Sequence, residues 1–222
     1  MTALSHDLGT ARRPVALSHR LREGTRPEHE QAETSGFVEH LMSGQLDVAA
    51  YADLAAQQWA VYRALEDASA AIRSDAQGAT LVFDELTRTP EIEKDLTFLV
   101  GANWAERITV HPATERYVAR LHEVGGSLPA YAAHAYTRYL GDLSGGQIVK
   151  RMLERHYGLS QDGLAFYTFT EIPKSKPFKD VYRGRLDALE LSPDELDATV
   201  AEAQHAFRLN SAMFADLGAV HC

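Results

Sequence analysis

Residues 136–150 read YTRYLGDLSGGQIVK, and this segment has helical sequence on both sides of a cluster of glycine and serine. Gly141, Gly145 and Gly146 lie inside the helical pattern, where each glycine costs about 1 kcal/mol of helix stability relative to alanine. Because glycine lacks a Cβ atom, a flat ligand or another helix can approach its backbone closely. The segment therefore predicts either a helix that covers a ligand or a close helix–helix contact, and the residues alone leave both open.

The composition of the chain narrows the class of protein. Hydrophobic residues make up 45% of the 222 residues, which is typical of a globular protein, and the length favours one domain. Lys and Arg number 22 and Asp and Glu number 31, so the net charge is −9 and nucleic acid is not expected as a partner. One cysteine, Cys222, cannot form an internal disulfide, and we see neither a secretion signal nor a membrane anchor. We expect a monomeric, cytoplasmic protein.

Helical patterns follow one another along almost the whole chain. Apolar residues recur every three or four positions in 47–73, where Asp47 is a suitable N-cap, and Ser192 followed by Pro193 is typical of a helix start. Pro27 predicts a bend in the first helix. The other helices are predicted over 14–33, 79–87, 90–101, 112–124, 129–157 and 176–190.

These patterns also define the predicted domain organisation. Residues 1–13 have the sequence of a flexible tail, and residues 14–222 form the domain. Within the domain, residues 164–169 suit a short strand or an extended segment. The sequence thus predicts an all-α, single-domain protein of eight or nine helices.

Segment 22–33, REGTRPEHEQAE, contains a candidate metal ligand. His29 and Glu33 are four residues apart and share one face of a helix. A carboxylate one turn away can bond one ring nitrogen of a histidine and orient the other nitrogen towards a metal. A partly exposed histidine without a chemical role is the commoner case, so this segment alone does not establish a metal site.

Two further groups of charged residues suggest a ligand. Asp142 lies inside the glycine cluster and Arg138 lies one turn earlier on the same face, and a buried carboxylate needs partners or water. Lys179 and Arg183 are four residues apart, with Lys176 one turn earlier, and form a cationic face. In an acidic protein such a face suggests an anionic ligand that carries carboxylate or phosphate. The alternative for the cations is an ordinary solvated side of a helix.

Taken together, these segments resemble the heme oxygenase family, particularly its soluble bacterial members. The matching segments have the family's order and separations over about 15–218. They are LREGTRPEHEQAE (21–33), AYTRYLGDLSGGQIVKRM (135–152), KPFKDVYRGRLDALELS (176–192) and EAQHAFRLNSAMFADL (202–217).

The resemblance implies a fold in which heme b is sandwiched between a proximal helix and a kinked distal helix. His29 would ligate the heme iron, and Glu33 would be its hydrogen-bonding partner. The bare backbone at Gly141 and Gly145 would let the distal helix lie on the face of the heme. Asp142 would anchor waters that deliver protons to the reacting oxygen, and Arg138 is implied to brace that network.

The resemblance also implies how the heme propionates are seated. Lys179 and Arg183 match the propionate-binding cations of the family, with Tyr136 nearby. Arg22 stands where many members have lysine. Phe207 is interpreted as part of the core or of the pocket wall. This pattern favours cleavage at the α-meso carbon.

The activity implied by the resemblance is the oxidation of heme to biliverdin, with release of carbon monoxide and ferrous iron. The reaction consumes O2 and electrons from a donor such as a ferredoxin or a flavin reductase, and heme is both cofactor and substrate. Its purpose, for example iron acquisition, is not specified. The main alternative is a heme-binding or storage protein that leaves its ligand intact. A ferritin-like di-iron protein needs two Glu-x-x-His motifs, and Glu202 with His205 supplies one.

Overall fold

The computed structural model of the protein describes residues 15–33 and 36–222, so the predicted tail over 1–13 lies outside the described residues. Ten α-helices follow one another within these ranges, and no strand is formed there. The all-α prediction is therefore confirmed. The helices are α1 Leu17–Gly24, α2 Arg26–Glu33, α3 Gly36–Met42, α4 Val48–Ile72, α5 Thr89–Val100, α6 Pro112–Val124, α7 Leu128–Gly141, α8 Gln147–Tyr157, α9 Ser175–Asp187 and α10 Pro193–His221.

Two long helices organise the core. α4 begins at the predicted cap, where the Asp47 carboxylate accepts a hydrogen bond from the Ala50 amide at 2.9 Å. α10 begins with a capping box, in which Ser192 accepts from the Glu195 amide and the Glu195 carboxylate accepts from the Ser192 amide. α10 packs against α1, α2, α3, α4, α6 and α7, so it contacts most of the elements that surround the cleft described below.

The predicted bend in the first helix is observed as a break between α1 and α2. Thr25 separates the two helices, and its amide donates to the Leu21 carbonyl at 3.0 Å. Pro27 follows in the first turn of α2, where a helix needs no donor from its backbone nitrogen. The break gives α2 its own direction.

The prediction of one helix over 79–87 was wrong. Two short 3-10 helices, Gly78–Leu81 and Asp84–Leu86, occupy this stretch, and extended backbone at Val82 and Phe83 separates them. The extended backbone places the Phe83 ring 5.1 Å from the ring of Phe178 on α9. This aromatic contact is long-range and outweighs the local helical pattern.

The prediction of a strand or extended segment over 164–169 was also wrong, because this stretch forms turns. The Asp95 carboxylate accepts hydrogen bonds from the Ala165 and Phe166 amides at 2.7 and 2.8 Å. The Thr168 hydroxyl donates to the Leu164 carbonyl at 2.9 Å. Side chains therefore satisfy backbone groups that a strand would pair with a neighbouring strand.

The opening glycine-rich segment is helical throughout, but its middle has a different hydrogen-bond pattern. α7 continues at Asp142–Gly146 into a π-helical turn, which continues directly into α8. Such turns are rare and frequently lie at functional sites. Gly158 ends α8 in the left-handed conformation with φ of 66°. No helix among the residues described is both long and apolar enough to cross a membrane.

Candidate functional site

A cleft of about 300 Å³ lies between α2 and the segment formed by α7, the π-helical turn and α8. Side chains of α3, α4 and α10 close it, including Leu54, Asn210 and Phe214. This volume is in the range of small-molecule sites. Eight of the predicted site residues line the cleft, namely His29, Tyr136, Arg138, Gly141, Asp142, Gly145, Arg183 and Phe207.

The backbone of Gly141 and Gly145 is bare on the side of the cleft. A Cβ atom added at either position would have no neighbouring atom within 4 Å, and both glycines line the cleft. Close helix–helix packing therefore does not explain these two residues. Gly146 differs, because a Cβ atom there would lie 3.3 Å from the Tyr167 ring. The first two glycines leave room for a ligand, whereas the third allows a close contact inside the protein.

Asp142 is a buried carboxyl group at the start of the π-helical turn. The hydroxyl of Tyr62, on α4, donates a hydrogen bond to its Oδ2 atom. Burial raises the pKa of Asp142 to about 6, although Arg138 and the Tyr62 hydrogen bond oppose this increase. Burial and the nearby Asp142 also raise the pKa of Tyr62 well above its usual value, so Tyr62 keeps its proton at neutral pH. Asp142 can therefore gain and release a proton near neutral pH.

Arg138 lies one turn before Asp142, and its side chain is buried. Its guanidinium carbon lies 4.9 Å from the centre of the Tyr62 ring, and its Nη1 atom donates to Asn210 Oδ1 at 2.5 Å. In the described part of the chain, its buried Nε atom has no hydrogen-bond partner. A buried donor of this kind is usually satisfied by ordered water. Arg138 is thus adjacent to the Asp142–Tyr62 pair and suited to hold water beside it.

His29 lines the cleft from α2. Its side chain is exposed, and its ring makes an edge contact with the ring of Phe207 on α10, with the ring centres 5.7 Å apart. The backbone of Glu33 belongs to α2, but its side chain lies outside the described residues. The hydrogen bond predicted between His29 and Glu33 therefore stays a prediction.

The predicted cations lie at one rim of the cleft. Arg183 lines the cleft, and Lys179 donates to the hydroxyl of Ser144, a lining residue of the π-helical turn, at 2.7 Å. Arg22 is exposed and does not line the cleft. Burial raises the pKa of Tyr136, and the positive charges of Arg183 and Arg22 oppose this increase. Partial burial, together with Arg183, lowers the pKa of Lys179.

Four polar residues of the site were not predicted from the sequence as functional. Asn210, Gln58 and Tyr167 line the cleft, and the Gln58 side chain is hydrogen-bonded to the Tyr167 hydroxyl. Tyr62 fits the apolar pattern of α4, so its sequence position indicates only a core residue. The role of its hydroxyl as a hydrogen-bond donor to Asp142 becomes visible only in the structure, because Asp142 lies 80 residues later in the chain.

The geometry does not support the di-iron alternative. Glu202 accepts hydrogen bonds from His134 at 2.9 Å and from Arg120 at 2.6 Å. Burial would raise the pKa of Glu202, but these two partners lower it to about 2. Over residues 15–33 and 36–222, no group of three or more His, Cys, Asp or Glu side chains is placed to hold a metal ion. Glu202 is thus part of an ion-pair network with Arg120 and His134.

Comparison with known proteins identifies the family. The family model described as Heme oxygenase matches residues 15–216. The chain belongs to the heme oxygenase family. Heme oxygenase 1 of Rattus norvegicus is 41% identical over 208 residues, which cover 92% of this chain and 72% of the rat protein.

Solved heme oxygenase structures share the fold. The crystal structure of heme oxygenase-1 from Synechocystis sp. PCC6803 in complex with heme matches with a TM-score of 0.88 and 37% identity, covering 93% of this chain and 94% of that one. Heme oxygenase-2 from the same organism, in complex with heme and NO, matches with a TM-score of 0.89 and 35% identity. That match covers 92% of this chain and 86% of the other. The fold predicted from the resemblance is therefore confirmed.

Proposed function

We propose that the cleft binds heme b and that the protein cleaves it oxidatively to biliverdin, carbon monoxide and ferrous iron. The observation that carries this proposal is that His29, from α2, and the bare backbone at Gly141 and Gly145 line the same cleft. The family and its relatives at 37–41% identity support heme oxygenase activity. Cleavage at the α-meso carbon is the product isomer that we propose.

The residues present fit a flat macrocycle with an iron centre and two carboxylates. The missing Cβ atoms at Gly141 and Gly145 leave open space on one wall. The imidazole of His29 is a suitable iron ligand on the other wall, and Leu54, Phe207 and further apolar side chains line the cleft. The cations at one rim suit carboxylate groups.

Heme, when bound, supplies the iron that activates O2, and its own porphyrin ring is the carbon framework that is opened. His29 would hold the heme iron through an imidazole nitrogen. Glu33, if it bonds the other ring nitrogen, fixes the orientation of the ring. On the distal side, the absence of side chains at Gly141 and Gly145 would leave space for a diatomic molecule.

Asp142 is the residue that we propose to supply protons. Its Oδ2 atom accepts from the Tyr62 hydroxyl, which fixes the carboxyl group at the start of the π-helical turn. With a pKa of about 6, Asp142 can take a proton from water and release it again at neutral pH. Arg138 and Asn210 line the cleft beside this pair, and we propose that they hold water there.

The rim cations are proposed to seat the propionates. Arg183 and Lys179 supply positive charge on α9, and Tyr136 supplies a hydroxyl beside Arg183. Arg22 contributes charge from α1 without lining the cleft. Because the propionates fix the rotation of the ring about the iron, these groups would determine which meso carbon faces the distal backbone.

A heme carrier is the second reading that the sequence allowed. The buried Asp142 is evidence against a carrier. A buried carboxyl group with a raised pKa lowers the stability of the protein, and a carrier has no use for such a group. The relatives in the comparisons are likewise named as heme oxygenases. The enzyme is therefore the favoured function.

The oligomeric state, the compartment and the electron donor are proposed as follows. We propose a monomer in the cytoplasm whose domain spans 14–222, supported by the family match over 15–216 and by a single, exposed cysteine. We further propose a small redox protein as the electron donor, such as a ferredoxin or a flavin reductase. The net charge of −9 supports the expectation that nucleic acid is not a partner.

The decisive experiment adds one equivalent of hemin to the protein and then a reductant under air. We expect a one-to-one complex with a sharp Soret band, which decays while bile-pigment absorbance increases. Chromatography of the pigment then identifies the isomer. A complex that stays intact under reductant and O2 would support the carrier, and the absence of a complex would contradict both functions.

A further inference from the structure

The turn-forming segment Gly163–Thr168, here called the anchored loop, follows α8 and is held mainly by side chains of other elements. Asp95 on α5 accepts hydrogen bonds from the Ala165 and Phe166 amides at 2.7 and 2.8 Å. Asp95 is 1% exposed, so this is a fully buried acceptor of two hydrogen bonds. A carboxylate can accept both, whereas an asparagine in its place would direct an NH2 group towards one of the two amides.

Other buried groups bond to the carbonyls of the same loop. The Arg88 guanidinium donates to the Phe166 and Thr168 carbonyls, both at 3.2 Å, and Arg88 is 6% exposed. The Tyr51 hydroxyl donates to the Gly163 carbonyl at 2.8 Å. Donors on the carbonyls and an acceptor on the amides together fix the loop from both sides.

The anchored loop in turn contacts the distal wall of the cleft. Its Tyr167 ring lies against Gly146 of the π-helical turn, at 3.3 Å from the position of a Cβ atom. The Gln147 side chain donates to the Tyr167 carbonyl at 3.0 Å and to the Asp142 carbonyl at 3.2 Å. One amide group therefore connects the loop to the residue that we propose as proton donor.

We propose that Asp95 and Arg88 are positioning residues of the distal wall. They hold the anchored loop, and the loop, through Tyr167 and Gln147, fixes the π-helical turn against the heme face. This inference rests on the proposed function of the cleft, and neither residue touches the cleft itself. Their substitution changes the environment that the distal wall gives to a diatomic ligand and leaves the proximal wall unchanged.

The energetics of Asp95 support this role. Burial raises its pKa to about 6, although its two backbone hydrogen bonds lower it. The buried carboxylate of Asp95 therefore lowers the free energy of unfolding of the protein. Such a cost is typical of residues that fix the geometry of a functional site.

The first test uses the ligand-free protein and measures amide hydrogen exchange. In Asp95→Asn we expect exchange of the Ala165 and Phe166 amides to accelerate by about tenfold or more, because the loop loses a buried charged acceptor. Exchange in the π-helical turn should accelerate too, whereas exchange in α2 should not change. Ile92→Val is the matched control, because Ile92 is fully buried three residues earlier on α5 and makes none of these bonds.

The second test uses the hemin complex, reduced and exposed to carbon monoxide. We expect Asp95→Asn to shift the C–O stretching frequency, which reports the distal environment, while hemin affinity stays within about twofold of wild type. Gln147→Ala should shift the C–O frequency in the same direction, although it leaves the bonds from Asp95 and Arg88 to the anchored loop intact. If Asp95→Asn does not fold, Gln147→Ala still tests the inference.

The outcomes separate the alternatives. Unchanged loop exchange and an unchanged C–O frequency in both variants would overturn the inference, as would equal effects in Ile92→Val. If the wild type forms no hemin complex, the proposed function fails, and hydrogen exchange in the ligand-free protein still decides whether Asp95 holds the distal wall. Acceleration confined to the loop, with none in the π-helical turn, would also overturn it.

Discussion

The two walls of the cleft are built differently. The proximal wall is α2, a helix of eight residues in which His29 is exposed and Ala32 is the one buried residue among the side chains described. The distal wall is a continuous run of helix in which Arg138 and Asp142 are 7% and 8% exposed. Tyr62 from α4 bonds directly to that wall.

This difference separates two kinds of function. The distal wall is organised by bonds within the protein before any ligand is considered, as suits the proton delivery that we propose for Asp142. The proximal wall presents the exposed side chain of His29, which we propose as the iron ligand. Proximal substitutions should therefore change heme binding with little effect on folding, whereas distal substitutions should change both chemistry and stability.

The largest effect should come from His29→Ala. Loss of the iron ligand should reduce biliverdin formation by more than about 100-fold, since even indirect changes at metal ligands cost about 10–100-fold. Because the side chain is exposed, the unfolding temperature of the ligand-free protein should not change. Absorption spectra and turnover measure the first effect, and calorimetry the second. His19→Ala, an exposed histidine of α1, is the control. A normal Soret spectrum and normal turnover in His29→Ala would remove the proximal assignment.

Asp142→Asn tests the distal wall. We expect the hemin complex to form, but biliverdin formation should fall by about 100-fold, the typical contribution of general acid–base catalysis. Single-turnover release of carbon monoxide measures the loss. Wild-type rates in this variant would show that the proton comes from another group.

The same residue makes stability depend on pH. The pKa of Asp142 is raised from 3.8 to about 6, so between these values the folded state holds a proton that the unfolded state has released. The contribution of Asp142 to the free energy of unfolding therefore decreases as pH increases from about 4 to 6 and is constant above pH 6. The total decrease is up to about 3 kcal/mol, at about 1.4 kcal/mol per pKa unit.

Urea unfolding at a series of pH values measures this effect. The free energy of unfolding of Asp142→Asn, relative to that of wild type, should increase between pH 4 and 6 and then level off. Asp95, whose pKa is also raised to about 6, contributes a similar slope in both proteins and cancels in the difference. Parallel curves for the two proteins would contradict the assignment.

Gly145→Ala separates the shape of the distal wall from its stability. The new methyl group has no protein atom within 4 Å, so it should not clash, and the free energy of unfolding should increase by about 1 kcal/mol because alanine favours a helix more than glycine does. It would project into the cleft, and we expect hemin affinity to fall about tenfold, or about 1.4 kcal/mol. Gly184→Ala on α9 is a matched control, since its Cβ atom would also meet nothing within 4 Å and it does not line the cleft. Equal hemin affinities in both variants would mean that the ligand does not approach Gly145.

The smallest effect should come from Arg183→Gln at the rim. A partly exposed charge contributes little, so hemin affinity should fall by about threefold, and by less at high salt. The proportion of product isomers should also change. Lys176→Gln, an exposed neighbour on the same helix, is the control and should change neither quantity. An unchanged isomer pattern in Arg183→Gln would contradict its role in seating the propionates.

Local patterns allowed much of the fold to be predicted. The caps at Asp47 and Ser192 and the break before Pro27 depend on neighbouring residues, and all three are observed. Residues 79–87 and 164–169 were mispredicted because distant groups decide them. The Phe83 ring packs against Phe178, which favours extended backbone at Phe83. The Asp95 carboxylate accepts a hydrogen bond from the turn after α8.

The candidate site shows the same limit. The resemblance to the heme oxygenase family placed His29 and Asp142 at one cleft, and the glycine cluster indicated an interrupted helix. The pattern could not show that the interruption is a π-helical turn, because its hydrogen bonds depend on backbone geometry. Nor could it pair Tyr62 with Asp142, since a tyrosine in an apolar stripe is indistinguishable from an ordinary core residue.

The order of the elements along the chain has a consequence for synthesis. Phe207, Asn210 and Phe214 complete the cleft, and they lie on α10, which follows every other element that lines it. A nascent chain that still lacks residues 193–221 has no finished binding site, so newly made protein cannot capture its ligand until α10 has been synthesised.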